Sequence, residues 1–435
     1  MNHKLGSNTA LFFRLHNYVA EQKLRDRTVW QPRMGFGDPE KMKAGLAAVA
    51  DQCDFGRSGT ITLDAYTRVG DFETPLNSLR SGVALNGYPI VSHDMETTNE
   101  VVSPARINGI PVQIRHGTSK PQAIFARMAE LGLEATEGGP ISYCLPYGRL
   151  PLAEAVAAWE DSCKLMANRI EHGHIESFGG CMMGQLCAPS ILVAINIIEA
   201  LFFLQHGVST ASLSYAQGTS DAQDKGAIAA LRRLAKEYLP FGTWHIVFYM
   251  YMGVFPKTPE GASRLIYDAA CLAVRSGCER VIVKTISEAI QIPTIEQNIY
   301  ALKLSASAER KYGQEPLTDR EKEHYEEVYM EAKSMVDAVL NESADLGKAI
   351  INCFRTGVLD VPYCLHLDNR GQTRTYIDGD GCLRWADRGA LPLNRSVSYI
   401  GRHKQLSSSE FLNMLDYKAS LYDLRASQVR PDCHA

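Results

Sequence analysis

Eight short apolar runs, separated by stretches with helical periodicity, constrain this chain more than any other feature. They are TVWQPR at 28–33, ITLDAYTR at 61–68, VQIR at 112–115, LEATE at 133–137, HIESF at 174–178, ASLSY at 211–215, HIVFY at 245–249 and RVIVK at 280–284. The last four end at Phe178, Tyr215, Tyr249 and Lys284, in steps of 37, 34 and 35 residues, the spacing of repeated strand–helix units. Helical patterns at 152–170, 189–206, 226–238 and 263–276 fill the intervals. A doubly wound open sheet shares this alternation. The count of eight, and a span from Arg33 to Lys284, select an α/β fold of the closed (β/α)8 TIM-barrel type.

This reading divides the chain into an N-terminal extension (1–27), a barrel domain (28–304) and a C-terminal α+β region (305–435). The polar segment 305–316 ends in Glu315–Pro316 as a connector. TDRE at 318–321 is a capping box that opens a charged helix to about Leu340, read as a solvated face or packing arm. DGDG at 378–381 is the turn of a hairpin. With 435 residues, 45% hydrophobic and 22% charged, the chain has the core of a soluble globular protein, and a net charge of −4 gives no reason to expect nucleic acid. The most apolar stretch, 188–204, contains Asn196 and Glu199, so a buried helix is expected rather than a membrane span. The apolar run at 10–13 is broken by Arg14 and is no signal peptide. Eleven cysteines without a CxxC pair point to reduced, mostly buried thiols and a cytoplasmic protein.

Chemistry is expected where barrel strands end, because their C-terminal ends converge on one mouth. Three of the first runs end in Arg33, Arg68 and Arg115, and the next ends in Glu137. Guanidinium forks match carboxylates bidentately and an ammonium needs an anion, so this set suits an amino diacid. Each residue has a plainer reading. A strand-end arginine is commonly a surface ion pair, Glu137 can simply neutralise an arginine, and Gly138–Gly139 can serve a turn. Tyr143 and Tyr147 can be core residues, whereas a lysine ending an apolar strand, Lys284, needs a partner. His172 and His174 lack a third ligand at suitable spacing, so no metal site is expected, and Gly179–Gly180 and Gly379/Gly381 fit no GxGxxG or Walker pattern.

These residues together resemble a known family, the large (E) component of glutamate mutase, also called methylaspartate mutase. The matching stretches are QPRMG at 31–35, DAYTR at 64–68, LNGYP at 85–89, RHGT at 115–118, EGGPISY at 137–143, Pro146–Tyr147, VKTISEAI at 283–290 and TGVLDVP at 356–362. The resemblance implies an isomerase that interconverts L-glutamate and (2S,3S)-3-methylaspartate by an adenosylcobalamin-dependent radical rearrangement. It implies Arg33, Arg68 and Arg115 on the carboxylates, Glu137 on the ammonium in the catalytic role, and Tyr143 and Tyr147 adding hydrogen bonds. It further implies cofactor contacts from Gly35, Asn86, His116, Pro146, Lys284 and Glu288, the last two on the ribose.

Cobalamin domains of this kind carry an Asp-x-His-x-x-Gly motif that supplies the lower axial ligand. His93 lacks the preceding aspartate, and Asp432–Cys433–His434 lacks the glycine. The lower ligand is therefore expected from a separate small cobalamin-binding subunit, with this chain as a homodimer inside a heterotetramer. Where the family has His–Gln–Trp–Met–Gly after the seventh strand, this chain has YMYMG at 249–253. Three alternatives stay open: the same chemistry on a 2-oxo or hydroxy diacid, a non-catalytic barrel scaffold, and an aldolase or lyase using Lys284 as a Schiff base.

Overall fold

The computed structural model describes residues 14–146, 148–240, 242–287, 291–393 and 406–428. Nine parallel strands form one sheet: β1 (Val29–Pro32), β2 (Gly56–Arg57), β3 (Gly59–Thr62), β4 (Val112–Arg115), β5 (Ala135–Gly138), β6 (His174–Ser177), β7 (Thr210–Ala216), β8 (Thr243–Tyr249) and β9 (Arg280–Val283). β1 pairs with β9, and the order runs on through β8, β7, β6, β5 and β4 to β3. β2 and β3 are separated only by Ser58. The first pairs with β1 and the second with β4, so they are two segments of one stave. Ser58 N and Thr62 N also donate to the carbonyls of Trp30 and Met34, at 3.3 and 2.9 Å. Counted as staves, the nine strands make the expected eight, and the ring closes.

The expected helices form at Leu152–Arg169, Pro189–Gln205, Asp221–Tyr238 and Pro259–Arg275. Strands such as β1, β4, β5 and β6 are buried along their whole length, as parallel strands covered by helices must be. Pro189–Gln205 is buried nearly all round, which explains its apolar sequence, and none of the described helices is long and apolar enough to cross a membrane.

The Thr318 capping box forms, with Glu321 Oε2 accepting from Thr318 N at 2.7 Å, and opens the helix Asp319–Glu342. That helix packs on Pro189–Gln205 and Asp221–Tyr238, the packing arm of the two readings, and its Glu331 accepts from Ser190 Oγ and Trp385 Nε1. The 378–381 turn joins Arg374–Ile377 to Leu383–Asp387 in an antiparallel hairpin. The ten described cysteines are all free thiols, and all but Cys53 are buried.

The interior of the barrel is polar. Gln31, Thr60, Gln113, His174, Glu176, Ser212, His245 and Arg280 interleave with the apolar residues that face the helices, and all are buried. Arg280 lies at the centre of this set: Nε donates to His245, NH1 to Gln31 and Gln113, and NH2 to Glu176 and Ser212.

Candidate active site

The strand ends bring most of the expected residues to one mouth. Arg115 closes β4 and Glu137 stands next to last on the neighbouring β5, so β-pairing alone sets their side chains within reach. Arg115 Nε donates to Glu137 Oε2 at 2.5 Å, both side chains being at most 5% exposed. The Tyr143 hydroxyl donates to Glu137 Oε1. The Tyr249 hydroxyl, at the end of β8, lies 2.9 Å from Glu137 Oε2 and also contacts Glu176 Oε1. Glu137 thus neutralises an arginine and collects two phenols.

Electrostatics follow from that packing. Burial pushes the Glu137 carboxyl up, but Arg115 and the hydrogen bonds from Arg115, Tyr143 and Tyr249 outweigh it and hold the group below the ordinary carboxylate range. Glu137 is therefore an anion at neutral pH. Arg115 has unused donors: its NH1 is fully buried and finds no partner among the described residues, while the guanidinium sits 5.2 Å from the centre of the Tyr249 ring. A buried donor left unsatisfied costs about 1–3 kcal/mol, which marks a place for an incoming acceptor.

Arg68 does not end a strand. β3 stops at Thr62, and Asp64 then caps a short helix, Ala65–Val69, accepting from Tyr66 N and Thr67 N at 2.9 and 3.0 Å. Arg68 reaches back from that helix to donate to the Leu63 carbonyl through Nε and NH2, at 3.0 and 2.8 Å. Its expected position at a strand end is corrected, yet it arrives at the same mouth. Burial, then Arg115 and Arg33, lower its pKa, opposed by Tyr143 and Glu137. Arg33, half-buried, follows β1 directly. The three guanidiniums therefore share one electrostatic neighbourhood.

The remaining expected residues take varied places. His116 is buried, 5.1 Å from Tyr143 edge to face and 5.8 Å from Trp159 in a stack. Its Nδ1 accepts from Thr118 N at 3.2 Å, and burial lowers its pKa to about 3, so it is a neutral imidazole with its proton on Nε2. Lys284 follows β9, buried, with Nζ 5.2 Å from the centre of the Phe255 ring. Asn86 is exposed at the rim and accepts from Ala65 N at 3.0 Å, tying the LNGYP loop to the Arg68 helix. Pro146 is half-buried. Gly35 has a packing reason of its own, since a Cβ there would lie 2.3 Å from the Thr62 carbonyl oxygen. Tyr147, Glu288 and the 432–434 tripeptide lie outside the described residues.

Sequence reading missed two parts of this site. Tyr249 was visible only as a departure from the family pattern, although the strand-end rule that singled out Arg115 applies to it equally. Glu176, bridged to Glu137 through Tyr249, was hidden one residue inside β6. His172 and His174 diverge: the first is exposed, while the second is buried and stacks on His245 at 5.3 Å.

Comparison with known proteins gives the family. The sequence profile of the family described as "Methylaspartate mutase E chain" matches residues 13–424. The glutamate mutase epsilon subunit of Escherichia coli O157:H7 is 33% identical over 395 residues, covering 85% of this chain and 79% of that protein. The Yersinia enterocolitica epsilon subunit is 31% identical over 85% of this chain and 79% of its own length, and that of Halobacterium salinarum 32% over 78% and 73%. The chain belongs to the methylaspartate mutase E chain family.

Proposed function

We propose that this chain is the large subunit of an adenosylcobalamin-dependent mutase that interconverts L-glutamate and (2S,3S)-3-methylaspartate. The observation that carries the reading is the buried Arg115–Glu137–Tyr143–Tyr249 cluster, with Arg115 NH1 unpartnered among the described residues and Arg68 and Arg33 beside it. Arg33, Arg68 and Arg115 bind the two carboxylates, and the Glu137 anion receives the ammonium. Tyr143 and Tyr249 orient Glu137, and burial excludes water from the reacting carbons.

The donor set also fits the cofactor's adenosyl side. Lys284 is a buried lysine at the end of β9 suited to ribose hydroxyls, and His116, after β4, is held neutral by burial. Asn86, Gly35, Pro146, Glu288 and Tyr147 are assigned to cofactor or substrate on family resemblance. Adenosylcobalamin, when bound, supplies the radical chemistry of the rearrangement. The name "epsilon subunit" in the relatives supports a partner, here a small subunit that provides the cobalamin-binding fold and the lower ligand. Incubation of this chain with glutamate, adenosylcobalamin and that small subunit, without oxygen, yields methylaspartate on this reading. Isomerisation by this chain alone, with stoichiometric cobalamin bound, would sink the two-component arrangement.

One observation favours a second reading on a 2-oxo or hydroxy diacid. Glu137 already accepts from Arg115 and Tyr143 and faces the Tyr249 hydroxyl, which leaves little room for an ammonium. Glu137→Gln separates the readings: it costs glutamate turnover far more than 2-oxoglutarate binding if an ammonium is recognised. Equal loss on both moves the assignment to the altered diacid.

A further inference from the structure

Glu199 is a buried carboxylate that the proposed chemistry does not use. It sits on the apolar helix Pro189–Gln205 and is fully buried. A carboxylate there is costly unless donors surround it. Four do. Oε1 accepts from the backbone amides of Ile141 and Ser142 at 3.0 and 2.8 Å, and Oε2 from the hydroxyls of Ser142 and Ser177 at 3.0 and 2.8 Å. Burial raises its pKa to about 7 against the pull of those donors.

Those donors belong to the segment between Glu137 and Tyr143, plus the end of β6. The segment must turn sharply, because Tyr143 comes back to bond a carboxylate only six residues earlier. Gly138 takes φ +132°, and a Cβ at Gly139 would lie 2.1 Å from the Glu199 carboxylate. The Glu199 head therefore occupies the space that Gly139 leaves open. Tyr143 N in turn donates to the Gly139 carbonyl at 3.2 Å. Backbone amides in such a turn lack a ladder partner, and Glu199 satisfies two of them at once.

We propose that Glu199 is a positioning residue: it pins the 138–143 turn so that the Tyr143 hydroxyl holds Glu137 in the orientation read by the bound diacid. The proposal deepens the mutase reading and rests on it for its kinetic arm only. The test uses the full chain, with the small subunit for kinetics, and the variants Glu199→Met and Glu199→Gln. Methionine keeps the volume but accepts no hydrogen bond from the amides, whereas the glutamine carbonyl still serves both. Amide hydrogen exchange over 139–146 accelerates at least tenfold in Glu199→Met and returns most of the way in Glu199→Gln. In kinetics, Glu199→Met lowers kcat/KM for the diacid about tenfold or more. The same change made on top of Tyr143→Phe adds little, because both act through one hydroxyl. Unchanged exchange in Glu199→Met overturns the proposal. So does a loss that is fully additive with Tyr143→Phe, the mark of a merely structural role. Should wild-type enzyme fail to isomerise glutamate, the mutase reading falls while the exchange arm still decides the anchor. If Glu199→Met does not fold, Glu199→Asp, too short to reach both amides, takes its place in both measurements.

Discussion

Two buried arginine–glutamate pairs occupy this barrel, one inside it and one at its mouth, and they differ in how completely their donors are occupied. Inside, Arg280 and Glu176 are fully buried, and every nitrogen of Arg280 has a partner among Gln31, Gln113, His245, Ser212 and Glu176. At the mouth, Arg115 and Glu137 are nearly as buried, yet Arg115 NH1 has no partner among the described residues. A buried ion pair is tolerated when further hydrogen bonds complete it, and the inner pair meets that condition from within the chain. The outer pair meets it only with something added. Tyr249 joins the two, its hydroxyl lying between Glu137 and Glu176 with one proton to give to either carboxylate at a time.

The contrast is most directly broken at Arg280. Arg280→Met leaves the Glu176 charge buried without its partner and is expected to cost about 3–5 kcal/mol of stability, read by denaturant unfolding. A variant as stable as wild type would mean that the inner network does not hold the barrel. At the mouth, Arg115→Lys keeps the charge but loses the fork. Turnover should fall ten- to a hundredfold, about 1.5–3 kcal/mol of transition-state stabilisation, while the unfolding midpoint moves much less than for Arg280→Met. Equal stability losses at the two arginines would erase the distinction between scaffold and site. Arg68→Lys is expected to behave like Arg115→Lys.

Tyr249→Phe tests the link. Removing the shared hydroxyl should cost about 1.5 kcal/mol of stability and also weaken diacid binding, since the one proton that serves either carboxylate, and with it the bridge between the networks, is lost. Loss on one count alone would show that the pairs are independent. The smallest effect concerns His116, whose pKa is about 3 in the folded chain against about 6.5 unfolded. Below the unfolded value the unfolded chain binds the extra proton, so this term destabilises the fold as pH falls from 6.5 toward 3 and vanishes above that window. Between pH 6.5 and 5.5 it amounts to about 1 kcal/mol, and His116→Gln should flatten the stability profile by that much. An unchanged slope would place the acid sensitivity elsewhere.

Much of the mouth was legible because strands repeat at a fixed interval and end on one side. Arg33, Arg115, Glu137 and Lys284 were found from that rule, and their elements stand within a residue or two of where periodicity put them. Arg68 was placed in the right neighbourhood by the wrong element. Asp64 competes for backbone amides as a helix cap, which stopped the strand six residues earlier than the apolar pattern suggested. Tyr143 reaches Glu137 only through a turn whose amides donate to Glu199, a residue more than fifty positions away in a helix that reads as plain core.

Local sequence, then, determined the α/β repeat, the eight staves and the identity of the strand-end charges, because apolar periodicity and helix caps are satisfied by near neighbours. Tertiary structure alone decided which of those charges are spent on one another. Gln31 and Arg280 are 249 residues apart in the chain and become partners only when β1 and β9 close the ring. Tyr249 and Glu137 are separated by 112 residues and meet across the barrel. Whether a buried arginine is complete or still has a donor to offer depends on how many acceptors the closed barrel brings within 3 Å or so, and no pattern along the chain records that distance.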